Sequence, residues 1–253
     1  MNQAPNNVCD ENTDILVMVI TAPSSIYHRT VYRETVLSAM DKLPTVRYSF
    51  LIGLTENASL SQEIQREGEK YDDIFVGNFI DSYENLTLKS IFMLNVASEF
   101  CPKSKFIFKL DDDVYANLKA IKTFLDGASH ERYIYGSIFK GAKPIRNTNN
   151  KWHIKHYDGS EFPTYVSGTA YIITTDIVVD LFRTALWQPF LRLEDVFTTG
   201  ICPRESQLVI RHQTAPNFGY NKIEDFRQLN PSAYTLHGLN DEQLRYIWSK
   251  VKV

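Results

Sequence analysis

Short apolar runs alternate along this chain with longer stretches whose apolar residues recur every three or four positions. Residues 14–22 (DILVMVITA), 46–54 (VRYSFLIGL), 73–76 and 106–110 read as strands. The first and last of these are near-continuous apolar runs of the kind that fills the middle of a parallel sheet. Between them the pattern predicts helices over 27–40 and 60–70, and a long one after Asp81 and Ser82, which are placed to cap it, with Leu86, Ile91, Leu94 and Val96 on its buried face. A helix over 117–125, a strand over 133–138, an irregular polar stretch over 141–159, a strand over 165–175 and a helix over 176–186 follow. A late strand over 207–213 and a final helix over 241–250, capped by Asn240, complete the series. The alternation of strand and helix through the first half predicts an α/β fold whose mostly parallel central sheet is flanked by helices on both faces. Residues 1–13 are Asn-rich, without periodicity, and are expected to be a flexible segment; residues 14–253 are expected to form a single domain.

The segment FIFKLDDDVYANL, residues 106–118, organises the rest. Phe106, Ile107, Phe108 and Leu110 belong to a buried strand that delivers Asp111, Asp112 and Asp113 at its C-terminal end. Open α/β sheets bind ligands in the crevice beyond the carboxyl ends of their strands. Three adjacent carboxylates repel one another, and a hard cation such as Mg²⁺, Mn²⁺ or Ca²⁺ relieves that repulsion and brings phosphate oxygens with it. A solvated acidic turn is the competing reading of the three aspartates taken alone.

Composition narrows the function classes. With 43% hydrophobic residues the chain can bury a sizeable core, and a net charge of -3, from 27 basic and 30 acidic residues, gives no electrostatic case for nucleic acid or an anionic membrane. No run reaches the roughly 18 apolar residues of a membrane span, and the first residues lack the basic and apolar regions of a signal peptide. The chain as given therefore reads as soluble, without membrane contact. Cys9, Cys101 and Cys202 are too few for a disulfide scaffold, and their odd number leaves at least one free or paired outside the chain.

Other candidates stand near predicted strand ends. Arg29 and Arg33, four residues apart, share a helix face that could hold a phosphate or a nucleobase or simply be solvated. Lys89 on the long helix reads alone as a surface lysine. Glu194 and Asp195 open a short helix, where carboxylates are favoured by the dipole. Gly168 interrupts a strand where a ligand or a backbone approaches closely, and Trp152 lies in a loop long enough to be functional.

Taken in order, RTVYRET, FLIG, DIFVGNFIDSYENLTLKS, FKLDDDVYAN, KW followed by FPTYVSGTAYIIT, EDVFTTGIC, and His237 ahead of LRYIW resemble the β-1,3-glycosyltransferases, which include β-1,3-galactosyltransferases, β-1,3-N-acetylglucosaminyltransferases and the fringe enzymes. The resemblance implies a GT-A fold and an inverting transfer of a hexose or N-acetylhexosamine, with galactose favoured, from a UDP-sugar donor to the 3-hydroxyl of a glycan on a glycoprotein or glycolipid. It implies Mn²⁺ (or Mg²⁺) held by Asp113 and His237, with Asp111 and Asp112 on ribose, sugar or metal. It makes Asp195 the catalytic base and places Arg29, Arg33, Asp81 and Lys89 in or behind the donor pocket. Trp152, Tyr165, Gly168 and Glu194 fall toward sugar or acceptor. The family's usual home is the Golgi, although this chain shows no signal or anchor. The alternatives are a non-catalytic nucleotide-sugar or glycan binding module on the same fold, and a metal-dependent phosphohydrolase, the latter disfavoured by the absence of a Gly-rich phosphate loop.

Overall fold

In the computed structural model, residues 3–215, 218–222 and 233–250 are described. A seven-stranded sheet runs through the molecule. Its strands are β1 (Ile15–Ile20), β2 (Val46–Leu54), β3 (Ile74–Ile80), β4 (Phe106–Asp111), β6 (Tyr133–Phe139), β7 (Tyr165–Thr174) and β8 (Arg211–Thr214), in the order β3-β2-β1-β4-β7-β6-β8. From β3 to β4 all neighbours are parallel, whereas β7 is antiparallel to both β4 and β6. The expected mostly parallel sheet is thus a parallel half joined to a mixed half. β1 is flanked on both sides, which is why its six residues are all buried and all apolar.

Side chains alternate across the sheet and divide the core in two. Val17, Val19, Phe108 and Leu110 face one layer with α1 (Ile26–Glu34), α2 (Ala58–Tyr71), α4 (Leu118–Asp126) and α7 (Asp241–Lys250). Leu16, Met18 and Ile107 face the other with α3 (Leu86–Phe100), α5 (Val178–Trp187) and residues 196–202. A second, three-stranded sheet has the order β5-β10-β9, from β5 (Val114–Ala116), β9 (Phe218–Lys222) and β10 (Thr235–His237).

Several boundaries differ from the sequence pattern. The first helix ends at Glu34 and continues as a 3-10 turn over Val36–Lys42. Asp81 and Ser82 do not cap α3: a 3-10 turn, Tyr83–Asn85, intervenes, Ser82 makes no cap bond, and the Asp81 carboxylate is taken by other donors. The late strand is shorter than expected, since only 211–214 pair with β6. Asn240 does cap α7, accepting from the Gln243 N–H while Gln243 returns a bond to the Asn240 N–H. The N-terminal segment is tied down from Gln3 onward: Gln3 bridges Val76 at the sheet edge, Asn6 donates to Asp72, and Cys9 forms a disulfide with Cys101. Cys202 is a buried free thiol.

Candidate active site

The parallel strands all end on one side, and the polar residues just past those ends form a connected floor. Asp81, after β3, accepts from the Gly53 N–H of β2 at 2.6 Å and from Lys89 at 3.0 Å. Lys89, 2% exposed on α3, also donates to the Thr21 carbonyl at 2.7 Å, and the Thr21 hydroxyl, just past β1, donates to Asp112 at 2.7 Å. Lys89 is therefore a buried strut and not a surface lysine. Burial lowers its pKa, with Asp81 opposing that shift. On the other side of Asp112, His28 of α1 binds the Asp112 carbonyl at 2.5 Å and the Asp241 carboxylate of α7. Burial raises the Asp112 pKa, against the Thr21 bond and the charge of His28.

Asp113 is met from the small sheet. Because β10 pairs antiparallel with β5, His237 lies opposite Val114 and its Nε2 comes 3.4 Å from Asp113 Oδ2. Asp113 Oδ1 and His237 Nδ1 are buried without hydrogen-bond partners. Burial and the neighbouring Asp111 charge raise the Asp113 pKa, while His237 draws it down. Among the described residues no group of three or more His, Cys, Asp and Glu is arranged to hold a metal ion, so Asp113 and His237 form a pair and not a closed cage.

Asp111 points toward the opposite wall. There Glu194 and Asp195 open a helical segment that widens into a π-helix over Val196–Ile201. Asp195 Oδ1 accepts from the Val196 N–H at 2.8 Å, and Oδ2 from the Gly168 N–H of β7 at 3.2 Å. Burial raises its pKa, and those two N–H groups and Lys109 partly restrain the rise. Gly168 must be small: a Cβ there would lie 3.0 Å from Glu194 Oε2 and 3.2 Å from Asp195 Cβ. The close approach expected at this glycine is made by these two side chains. Glu194 itself is buried beneath the cleft, where Ser90 and Tyr171 each donate to its Oε1 at 2.6 Å. Burial raises its pKa, and the Lys109 charge opposes that.

The rim is aromatic and pinned. Trp152 is 46% exposed and Tyr83 51% exposed, and Tyr83 lies close enough to Asp195, Asp111 and Arg192 to feel their charges. Arg192 holds the loop from behind by donating to the His153 and Lys151 carbonyls. Tyr165 stacks on Phe139 with centroids 5.3 Å apart, and burial, then the Asp195 charge, pushes its pKa up to about 12.

Arg29 and Arg33 share a face as their spacing requires, but that face is neither solvated nor open to the cleft. Arg29, 0% exposed, donates to Glu67 of α2 and to the Ala22 carbonyl at the end of β1; Arg33 donates to Glu67 and Asp73. Four residues at the site had not been singled out. Lys109, Thr21, His28 and Tyr83 all contact or border predicted site residues, and of these only Lys109 carries a sequence signal, a charge inside the apolar run FIFKL.

The family profile described as Galactosyltransferase matches residues 27–214, which takes in Asp81, Lys89, Lys109, the three aspartates and Asp195 but neither Thr21 nor His237. The chain belongs to the galactosyltransferase family. Among curated relatives, β-1,3-galactosyltransferase 1 of Mus musculus and of Homo sapiens are each 31% identical over 253 residues, covering 96% of this chain and 76% of theirs. β-1,3-Galactosyltransferase 5 of Homo sapiens is 29% identical over 203 residues, covering 78% of this chain and 65% of its own. The solved WbbM bifunctional glycosyltransferase superposes with a TM-score of 0.50 at 10% identity, over 100% of this chain and 52% of that one, a likeness of fold alone. In this galactosyltransferase-family chain, Asp111 after β4 and the pair Glu194 and Asp195 before the π-helix are linked through Lys109 and Gly168.

Proposed function

We propose that the chain is an inverting β-1,3-glycosyltransferase that moves a hexose, galactose before an N-acetylhexosamine, from a UDP-sugar to the 3-hydroxyl of a glycan acceptor on a glycoprotein or glycolipid. The observation that carries the reading is the meeting of Asp113 and His237 at the end of the central strand, each with an unpartnered buried atom, in a member of this family. Two protein ligands suit Mn²⁺ or Mg²⁺, which commonly takes its remaining oxygens from substrate phosphates and water. When bound there, the cation would supply positive charge against the diphosphate that departs.

The chain's own groups do the rest. Asp112, fixed by Thr21 and by its backbone contact to His28, and Asp111 face the nucleotide and the sugar. Asp81 and Lys89 brace that floor from below, and Arg29 and Arg33 brace the end of β1. Trp152 and Tyr165 line the acceptor side, Gly168 orients Asp195, and Glu194 supports both from beneath. Asp195 takes the proton from the acceptor hydroxyl as that oxygen bonds to the anomeric carbon and the bond from that carbon to the UDP oxygen breaks, inverting the centre. The raised Asp195 pKa makes it a stronger base than an exposed aspartate. The Cys9–Cys101 disulfide supports maturation in an oxidising compartment, in keeping with a Golgi lumen. Among the described residues no helix is long and apolar enough to cross a membrane.

The test is calorimetric titration of UDP, with and without Mn²⁺, into the wild type and Asp113→Ala. Binding that needs the metal and is lost in the variant is the expected result. UDP that fails to bind under any condition overturns the reading.

A further inference from the structure

Lys109 occupies a position where a lysine needs a reason. On β4 it shares a sheet face with Ile107 and Asp111, between Phe108 and Leu110 of the opposite face, and it is 2% exposed. Its register partner on β7, Tyr171, presents a ring whose centroid is 5.6 Å from Nζ. A buried ammonium persists only when it is paired and hydrogen-bonded. Nζ donates to Asp111 Oδ1 at 2.5 Å and to the Gly168 carbonyl, and lies 3.9 Å from Glu194 Oε2. Gly168 is held at both ends, since its carbonyl receives Lys109 while its N–H donates to Asp195. One cation therefore reaches the donor-side aspartate directly and the base through a single residue.

We propose that Lys109 is a positioning residue that ties the base to the donor side, fixing the Gly168 backbone that aims Asp195 and supplying the positive charge that keeps Asp195 ionised in the floor of the cleft. The base role of Asp195 rests on the transferase reading; the coupling of the two side chains does not. The charged and titratable groups facing Asp195 are Lys109 from β4, Tyr165 from β7, Tyr83 from the turn before α3, and the adjacent Glu194, with Asp111 joined to the cluster through Lys109. Of these Lys109 is the cation. Burial opposes its charge, yet Asp111, Glu194 and Asp195 together raise its pKa, so the ammonium is retained.

A lysine that merely fills space could be replaced by methionine without touching the ionisation of Asp195, and that difference is measurable. The Asp195 carboxyl is titrated by ¹³C NMR in the metal-free protein for the wild type, Lys109→Met and Lys109→Arg, with Asp195→Asn assigning the resonance. An opposite charge at short range lowers an aspartate pKa by about 1 to 3. Lys109→Met should therefore raise the proton affinity of Asp195 about tenfold or more, and Lys109→Arg should restore the wild-type titration. The acid limb of the kcat profile should move upward in parallel. If the methionine variant does not fold, Lys109→Gln, which can still donate to the Gly168 carbonyl without charge, carries the same expectation. An unmoved Asp195 titration in a folded Met or Gln variant overturns the proposal. The readout needs no turnover, so absence of transfer in the wild type would count against the transferase reading and leave the coupling to be judged on its own result.

Discussion

Glu67 offers a direct test of how the donor floor is supported. It accepts from Arg29 Nε at 3.0 and 3.2 Å, from Arg29 Nη2 at 2.6 Å and from Arg33 Nη1 at 2.8 Å. Glu67→Ala removes all of these at once. Arg33 keeps Asp73, but Arg29, with no exposed surface, retains only the Ala22 and Pro23 carbonyls and becomes a buried charge without a counter-ion. Breaking a buried pair from one side costs about 3–5 kcal/mol. For a chain of this length each kcal/mol moves the melting midpoint by about 2–4 °C, so the expected fall is roughly 6–20 °C. Urea unfolding of wild type and variant, followed by circular dichroism, would show a lower midpoint at unchanged slope, and UDP affinity measured well below the transition should change little. A loss under about 1 kcal/mol refutes the strut assignment, because an uncompensated buried guanidinium cannot be that cheap. Intact stability with lost UDP binding would instead give the two arginines to the nucleotide.

Three further outcomes follow from the site and its surroundings. Asp195→Asn should lower transfer by about 10²- to 10⁴-fold while leaving calorimetric UDP binding unchanged, and a variant with full activity would remove Asp195 from the role of base. Reducing the Cys9–Cys101 disulfide, which spans a sequence separation of 92, should destabilise the chain by about 2–5 kcal/mol, seen as a lower melting midpoint with reductant that Cys9→Ser reproduces without it. Asp112, Asp113, Glu194 and Asp195 all have pKa values raised chiefly by burial, so the folded chain binds protons more tightly than the unfolded one and the metal-free protein should lose stability as pH rises through those raised values. His28 acts in the same sense: burial opposes its charge, but the charge of Asp112 and the bond to Asp241 raise its pKa. Melting midpoints that rise between about pH 5 and 8 would contradict that sign.

The parallel half of the sheet was legible because β1 and β4 are near-continuous apolar runs and because α1 and α2 declare their period, whereas α3 is apolar around most of its circumference. The acids were legible less from the triplet itself, which alone reads as well as a solvated turn, than from the buried strand that delivers them and the series of motifs around them. What could not be read locally was partnership. The spacing of Arg29 and Arg33 gives their shared face but not Glu67 and Asp73, which reach them from other elements. Lys89 looks like any helix lysine until Asp81 and the Thr21 carbonyl close around it. β5 was invisible because three residues make no period, and it exists through β10, more than a hundred positions away in sequence. His237 was pointed to by resemblance alone for the same reason. Lys109 was the exception, a readable anomaly passed over because its neighbours so plainly spelled a strand.

The small sheet also joins distant parts of the chain. Every strand of the large sheet has been synthesised once Thr214 is made, together with the aspartates, Lys109 and Asp195. His237 emerges later, on a strand that must travel back and zip onto the three residues directly after Asp113. In sequence, the strands of the large sheet thus precede one of the two side chains proposed to hold the cation. The same late segment that carries His237 also seats Leu244 and Ile247 in the core, so completing the scaffold and completing the proposed cation pair are one event.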